Sequence, residues 1–327
     1  MRVLPASPAG EPIGAVALLG AADPRLLTRF QALEDAVWSR TSLPSAVTEA
    51  VRLRSAHLRG CEFCSAVRVS AGREDGLGEA EIARLDDLAA RAELPSTHRA
   101  ALTLIDHALT SPQAPPAGER RTIGAALGRR GVVEVLAACA AFASADLRIA
   151  LGENRAPTGD GAVTRARLSL PRKPAPGWPS LAGPVLDPDQ RLPEVDDAVA
   201  NPIAEQVADL WAGAVVPPEL MAACVVRSAQ LLGVGAGASV FDLLLPPPGV
   251  RRPDPDHVRG WPAWTDRPAR DVLALAEQLW LDPATVGPPV TAPVVRQLGT
   301  EGTIALTWSL IWVGQLHRLA LVLHRGR

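Results

Sequence analysis

Two cysteines placed three residues apart are the residues of this chain best suited to chemistry. Cys61 and Cys64 follow Gly60, a residue typical of a helix C-terminus, so we expect the pair at the start of the next helix. Cysteines at this spacing lie within reach of a disulfide bond. The positive end of a helix stabilises a thiolate there and lowers its pKa from about 8.5. The pair therefore predicts thiol redox chemistry.

Three polar side chains near the pair are candidates for assisting it. Arg68 lies four residues after Cys64, which predicts a place on the same helical face and a cation beside the thiolate. Glu49 lies twelve residues before Cys61 on the preceding helix, where it faces the pair if the two helices pack antiparallel. His57 is a candidate proton carrier, although a surface or helix-capping histidine is the commoner interpretation.

The same cysteine spacing also occurs in zinc sites and in thioredoxin-like motifs. A zinc site normally has four ligands, and the sequence offers no second pair of cysteines or histidines at ligand spacing. The pair also does not lie between a strand and a helix, as the thioredoxin motif does. Cys139 and Cys224 lie in apolar helical segments and are interpreted as small core residues. We expect neither a metal nor a bound cofactor.

Length and composition exclude several classes of protein. The chain has 327 residues, which favours two domains, and 47% of them are hydrophobic. A net charge of -2 argues against a nucleic-acid surface, and four cysteines argue against a disulfide-rich secreted scaffold. The first residues lack the basic region of a signal peptide. The uncharged run 302–316 is shorter than the ~20 residues of a membrane-spanning helix, so it predicts a buried helix. We expect a cytoplasmic protein.

Helical periodicity dominates the chain, and no alternating strand pattern is present. Helices are predicted at about 24–38, 44–58, 79–91, 97–110 and 132–151, and another begins at the cysteine pair. A proline- and glycine-rich stretch then predicts a linker. The predicted organisation is a first domain over 1–155, a linker over 156–190 and a second domain over 191–327.

The second half of the chain resembles the first. LPSAVTEAVRLRSAHLRG (43–60) aligns with VPPELMAACVVRSAQLLG (216–233) at a shift of 173 positions, and the register later continues at a shift of 171. The positions that correspond to Glu49, His57, Cys61, Cys64 and Arg68 hold Ala222, Gln230, Val234, Gly237 and Phe241. This pattern predicts a duplicated helical domain whose second copy has lost its chemistry.

The spacing of the polar residues resembles that of the AhpD-like alkylhydroperoxidases, in the carboxymuconolactone decarboxylase superfamily. These proteins have a glutamate, eleven further residues, Cys-x-x-Cys, three residues and a histidine. EAVRLRSAHLRGCEFCSAVRVSAGREDGL (49–77) is similar to them over its whole length. The resemblance covers about residues 25–152, and more weakly 200–325. It implies an all-α helical bundle, here duplicated in one chain, and assembly of single domains into trimers or hexamers.

The resemblance also implies roles for individual residues. Cys64 would attack a peroxide, Cys61 would resolve the sulfenic acid to a disulfide, and Glu49 would relay protons. The family histidine corresponds to Arg68, which cannot shuttle a proton because a guanidinium group keeps its proton at neutral pH. We therefore expect a thiol-dependent peroxidase or disulfide oxidoreductase, with a hydroperoxide or disulfide as substrate. A thioredoxin-like or dihydrolipoyl-bearing protein would reduce it.

Two other functions remain open at this point. Lactone decarboxylation is the activity that names the superfamily, and it does not need the cysteine pair. A non-enzymatic redox sensor or assembly module would use the cysteines as a switch and the second half as an interface. If single domains form a six-fold set, three tandem chains would complete it, so we expect a homo-oligomer such as a trimer.

Overall fold

The structure is a computed structural model that describes residues 14–110, 115–156, 164–165, 197–213, 215–233, 244, 246–251 and 253–323. The prediction of an all-α fold is confirmed, since the only strands in these ranges are two residues long. The helices are α1 (Ala15–Ala22), α2 (Pro24–Ser39), α3 (Ser45–Arg59), α4 (Glu62–Ala66), α5 (Ser70–Glu74), α6 (Glu79–Ile82), α7 (Ser96–Thr110), α8 (Ala117–Ala141), α9 (Ser144–Ala150), α10 (Asp197–Trp211), α11 (Pro218–Leu231), α12 (Pro255–Arg259), α13 (Arg267–Leu281) and α14 (Pro288–Leu323).

Local sequence signals explain where the first long helices begin and end. Asp23 caps α2, because its carboxylate accepts a hydrogen bond from the Arg25 amide at 2.9 Å, and Pro24 occupies the first helical position. Helix α3 ends at Gly60, whose φ of 71° places it in the left-handed region that favours glycine. The predictions for these two helices are confirmed.

Two other helix predictions are wrong. The helix expected over 79–91 ends at Ile82, and further on Asp87 Oδ1 accepts bonds from the amides of Ala89 (2.8 Å) and Ala90 (3.3 Å). Such local side-chain bonds compete with helical ones. The helix expected over 132–151 is broken into α8 and α9 around Phe142, whose ring packs against Trp38 with centroids 6.1 Å apart.

Most of the predicted linker, 156–190, lies outside the described residues. Within it the structure describes a short strand, β2 (Thr164–Arg165), which pairs in parallel with β1 (Arg68–Val69). The chain therefore returns to the neighbourhood of the cysteine pair after leaving the first half.

The two halves have corresponding helix bounds. Adding 173 to the bounds of α2 and α3 gives 197–212 and 218–232, and α10 and α11 span Asp197–Trp211 and Pro218–Leu231. Adding 171 to the bounds of α7 gives those of α13, Arg267–Leu281. Helix α8 is kinked at Gly128 (φ 66°, ψ 173°), and α14 is kinked at the corresponding Gly299 (φ 72°, ψ 177°). On these correspondences we retain the duplication as a proposal; positions 234, 237 and 241 of the second half lie outside the described residues.

A single hydrophobic cluster joins the two halves. Helix α10 packs against α2, and α14 contacts α1, α7, α8 and α9. At the centre of this contact the ring of Trp308 meets that of Phe30 edge-on, with centroids 5.5 Å apart, and lies beside Trp312. The run 302–316, predicted as a buried helix, lies within α14, and most of its side chains are buried.

Because the core is shared, we expect the two halves to unfold together. Trp308→Ala should lower the free energy of unfolding by about 3–5 kcal/mol, since it leaves a large cavity between the halves. Leu281→Ala is the control, because Leu281 is 66% exposed and should change that free energy by less than about 0.5 kcal/mol. Urea unfolding followed by circular dichroism and by tryptophan fluorescence measures both. Two separate transitions in the native chain would contradict the shared core.

Candidate functional site

The backbone turns tightly after α3. Cys61 lies at this turn, and Cys64 lies in the short helix α4 that follows it. The amide of Cys61 donates to the Ala56 carbonyl at 2.8 Å, and Cys61 then caps α4 in an extended conformation. Its Sγ accepts a hydrogen bond from the Cys64 amide at 3.3 Å. The prediction that the pair lies at a helix start is confirmed. However, α4 has only five residues, so its dipole is too small to be the main source of thiolate stabilisation.

The two thiols differ in their surroundings. Cys61 is 0% exposed and packs with Ala56, Ala145 and Ile149, whereas Cys64 is half-buried. The pKa of the Cys61 thiol is raised, first by its hydrogen bond with the Cys64 side chain, then by burial and by the charge of Cys64. These surroundings favour the protonated form of Cys61, and Cys64 is the more accessible of the two sulfurs. Neither is in a disulfide bond.

Cys64 opens into a small cavity between α3, α4 and α9. The cavity has a volume of about 40 Å³, and its walls include Phe63, Phe142, Arg52 and Arg148 beside Cys64. A space of this size holds about two or three water molecules. Two aromatic walls, two guanidinium groups and the Glu34 carboxylate make a compact site in which a charge on sulfur is only partly screened by water.

A buried ion pair lies under α4. The Arg52 guanidinium donates to both carboxylate oxygens of Glu49, at 2.6 and 2.7 Å. It also donates to the carbonyls of Cys64 at 2.8 Å and Val67 at 2.5 Å, and Glu49 accepts from the Val69 amide at 3.0 Å. Burial lowers the pKa of Arg52, but the charge and hydrogen bonds of Glu49 outweigh burial and the net shift is upward. The pair fixes the main chain that carries Cys64.

Arg148 is a second cation at the cavity. It is 8% exposed, and its guanidinium lies 4.1 Å from the centroid of the Phe63 ring, a cation–π contact. Its positive charge favours the thiolate form of the neighbouring cysteines and is one of the influences that lower the pKa of Cys61. Arg148 lines the cavity together with Arg52 and the Glu34 carboxylate of α2.

Arg68 does not lie where the sequence predicted it. Helix α4 ends at Ala66, so the expected helical spacing between Cys64 and Arg68 does not exist and that placement is wrong. In strand β1, the Arg68 guanidinium donates to Glu79 at 3.0 and 3.2 Å and to the Ser65 carbonyl at 2.5 Å. It lines a separate cavity of about 300 Å³ that it shares with Glu49.

His57 is held by a different network. Its Nδ1 lies 2.6 Å from Asp86 Oδ2, and Asp86 also accepts from Arg54 at 2.6 Å. Burial raises the pKa of Asp86, but the bonds from Arg54 and His57 outweigh burial and keep that pKa below its usual range. His57 is not among the residues that line the Cys64 cavity. Glu49, in contrast, is brought to the site and reaches it through Arg52.

The sequence interpretation missed Arg52 and Arg148. A signal for both was present in the comparison of the halves, because the corresponding positions hold Val225 and Leu319 at shifts of 173 and 171. These polar-to-apolar differences follow the same pattern as those at the cysteines. No cluster of three or more metal-ligating side chains occurs among the described residues, and within the same part of the chain no helix is apolar and long enough to span a bilayer.

Breaking the buried ion pair under α4 should lower the free energy of unfolding more than breaking a surface ion pair does. Arg52→Met leaves the Glu49 carboxylate buried without its partner, so we expect a loss of about 3–5 kcal/mol in the free energy of unfolding. Arg25→Met is the matched control, because the Arg25–Asp23 pair is exposed and screened by water, so its loss should change that free energy far less. Chemical denaturation of both variants measures the difference. Equal losses would contradict the structural role of the buried pair.

Comparison with known proteins bears on the first half of the chain. Residues 24–106 match the model of the Carboxymuconolactone decarboxylase family. No curated protein matches the chain, and no solved structure does so either. The matched segment contains Glu49, Arg52 and both cysteines of the pair, while Arg148 and the second half lie beyond it. Over residues 24–106, the chain is therefore similar to the carboxymuconolactone decarboxylase family.

Proposed function

We propose that the chain is a thiol-dependent reductase of hydroperoxides, with Cys64 as the nucleophile and Cys61 as the resolving thiol. The observation that carries the proposal is the asymmetry of the pair. Cys61 is fully buried and its Sγ accepts a hydrogen bond from the Cys64 amide, while Cys64 lies at the wall of a cavity with Arg52 and Arg148. A nucleophilic thiolate needs access and nearby positive charge, and a resolving thiol needs to keep its proton until it is used.

The first step is attack of the Cys64 thiolate on the terminal oxygen of a hydroperoxide. A sulfur–oxygen bond forms, the oxygen–oxygen bond breaks, and the leaving alkoxide takes a proton to become an alcohol. Cys64 is then a sulfenic acid. The peroxide has gained two electrons, and sulfur has lost them.

The second step closes a disulfide. The Cys61 sulfur attacks the Cys64 sulfur, the sulfur–oxygen bond breaks, the sulfenic hydroxyl takes the Cys61 proton and leaves as water, and a Cys61–Cys64 bond forms. The Cys61 Sγ is already bonded to the Cys64 amide at 3.3 Å, and this proximity of the two residues favours the step. An external dithiol must then attack the disulfide, and Cys64 is the sulfur that it can reach from the cavity. A protein carrying a vicinal dithiol, thioredoxin-like or dihydrolipoyl-bearing, has the required chemistry.

The source of the proton for the leaving alkoxide differs from that expected in the family. Arg68 stands at the position of the family histidine and is engaged with Glu79. Three donors occupy the Glu49 carboxylate, so we infer that it acts first by positioning Arg52. We propose that water in the cavity supplies the proton. The acid/base role of Glu49 stays a prediction from the resemblance.

A redox switch without turnover is the second candidate, and one observation favours it. Among the described residues that line the cavity there is no histidine to take the place of the proton donor expected in the peroxidase branch. A switch would form the same disulfide once and would not need rapid product release. Multiple turnovers with a dithiol separate a peroxidase from a switch.

Hydroperoxide consumption in the presence of a dithiol tests the assigned nucleophile. Cys64→Ser should abolish turnover, because a serine hydroxyl is not ionised at neutral pH. Cys61→Ser should retain one fast oxidation and accumulate a sulfenic acid on Cys64, which mass spectrometry after trapping detects. Cys224→Ser is the control, since Cys224 is buried in α11, and it should leave turnover unchanged. Turnover by Cys64→Ser at the native rate would overturn the assignment.

Removing Arg148, the cation at the cavity, should slow oxidation of Cys64 more than removing Arg68, the cation predicted from the sequence. Arg148→Met removes a nearby positive charge, so it should raise the pKa of Cys64 and slow sulfenic acid formation roughly tenfold at neutral pH. The deficit should shrink as pH rises, because the thiol then ionises in both proteins. Arg68→Met should stay within about twofold of native, since Arg68 is engaged elsewhere. Stopped-flow kinetics across pH measures both; the reverse order of effects would contradict the electrostatic account.

A further inference from the structure

A buried polar cluster connects the second half of the chain to the cysteine site. Arg59, at the end of α3, donates to Asp146 of α9, and its other terminal nitrogen donates to Gln315 Oε1 of α14 at 2.8 Å. Gln315 Nε2 in turn donates to Asp146 Oδ2 at 3.2 Å. The amide of Gln315 therefore joins an arginine and a carboxylate that belong to two different helices of the first half.

The residues of this cluster are close in sequence to the cysteines on one side of the cavity and to Arg148 on the other. Arg59 is two residues before Cys61, and Asp146 is two residues before Arg148 on the short helix α9. Ala145, the neighbour of Asp146, lines the cavity itself. A displacement of Arg59 or Asp146 would therefore be transmitted to the sulfurs and to the cation that faces them.

The side chains of this cluster are buried, so a hydrogen bond that is lost there is not replaced by one to water. Gln315 is 1% exposed, and the Arg59 side chain is also nearly inaccessible. Burial lowers the pKa of Arg59, but Asp146, Cys139 and Cys64 outweigh burial and the net shift is upward. The Arg59 Nε already has no hydrogen-bond partner among the described residues. Loss of the Gln315 acceptor would leave that Arg59 terminal nitrogen with only its long bond to the Cys139 sulfur at 3.9 Å, which is costly for a buried cation.

We propose that Gln315 is a positioning residue of the cysteine site, and that the second half of the chain completes this site by fixing Arg59 and Asp146. Arg59 then presents its charge to the pair, and α9 presents Arg148 to the cavity. The inference rests on the proposed redox function, because it concerns the ionisation of Cys64. It gives the part of the chain beyond the family match a definite role.

Several charged or titratable groups face the pair from the helices around it, and any change in the ionisation of Cys64 must be interpreted against all of them. They are Glu34 of α2, Glu49, Arg52 and Arg59 of α3, Cys61 at the cap of α4, Asp146 and Arg148 of α9, Cys139 of α8, and Arg318 of α14. Gln315 is uncharged. Its substitution therefore alters the ionisation of Cys64 only through the placement of these groups.

The test is the pH dependence of alkylation of Cys64 by iodoacetamide in the full chain, with the labelled peptide identified by mass spectrometry. Gln315→Met keeps the length of the side chain and removes both hydrogen bonds. We expect the midpoint of its profile to rise and the alkylation rate at neutral pH to fall roughly tenfold, because the cations move away from the thiolate. Gln315→Asn, which keeps the amide but is too short to join both partners, is measured in parallel and should shift in the same direction.

The matched control is Gln206→Met. Gln206 is another buried amide of the second half, and it accepts a bond from Trp308 Nε1 at 3.2 Å without contacting Arg59 or Asp146. Circular dichroism establishes that each variant is folded. A native profile in folded Gln315→Met or Gln315→Asn, or an equal shift in Gln206→Met, would overturn the inference while the proposed function stood. A native chain in which Cys64 titrates as an ordinary thiol would overturn both.

Discussion

The buried ion pair between Glu49 and Arg52 holds the segment on which the chemistry depends. Helix α4 has five residues, too few to be stable by its own hydrogen bonds, so its position must be imposed from outside. Arg52 imposes it by donating to the carbonyls of Cys64 and Val67, and Glu49 does so at the Val69 amide. In a poorly hydrated interior these charge-assisted bonds are strong, and each is costly to leave unmade.

The fixed position of α4 also gives the two neighbouring thiols different burial and different charged neighbours. The turn at Gly60 directs Cys61 into the apolar contact with α9, while the clamp on α4 keeps Cys64 at the cavity wall. One sulfur is thereby shielded and protonated, and the other is near two guanidinium groups and open to a small reactant. The proposed roles of the two sulfurs follow from burial and charge, because the residue type is the same. Arg148 supplies at the cavity the cation that the sequence had placed at Arg68.

Periodicity and caps were sufficient to predict the long helices, because their signals are local. Asp23-Pro24 and Gly60 each act within one turn of the chain. The early end of α4 could not be predicted in this way, because hydrogen bonds from a residue twelve positions away draw the main chain into β1. The position of Arg148 could not be predicted either. It depends on the break between α8 and α9, and no glycine or proline marks that break. Only the comparison of the two halves carried information about such distant contacts.

The most direct test of this account is which sulfur reacts first when the reduced chain meets less than one equivalent of an alkylating reagent at neutral pH. Peptide mass spectrometry then counts the label on Cys64 and on Cys61. The account predicts that almost all of the label is on Cys64, because Cys61 is buried and keeps its proton. Label divided evenly between the two sulfurs, or found first on Cys61, would contradict the assigned asymmetry.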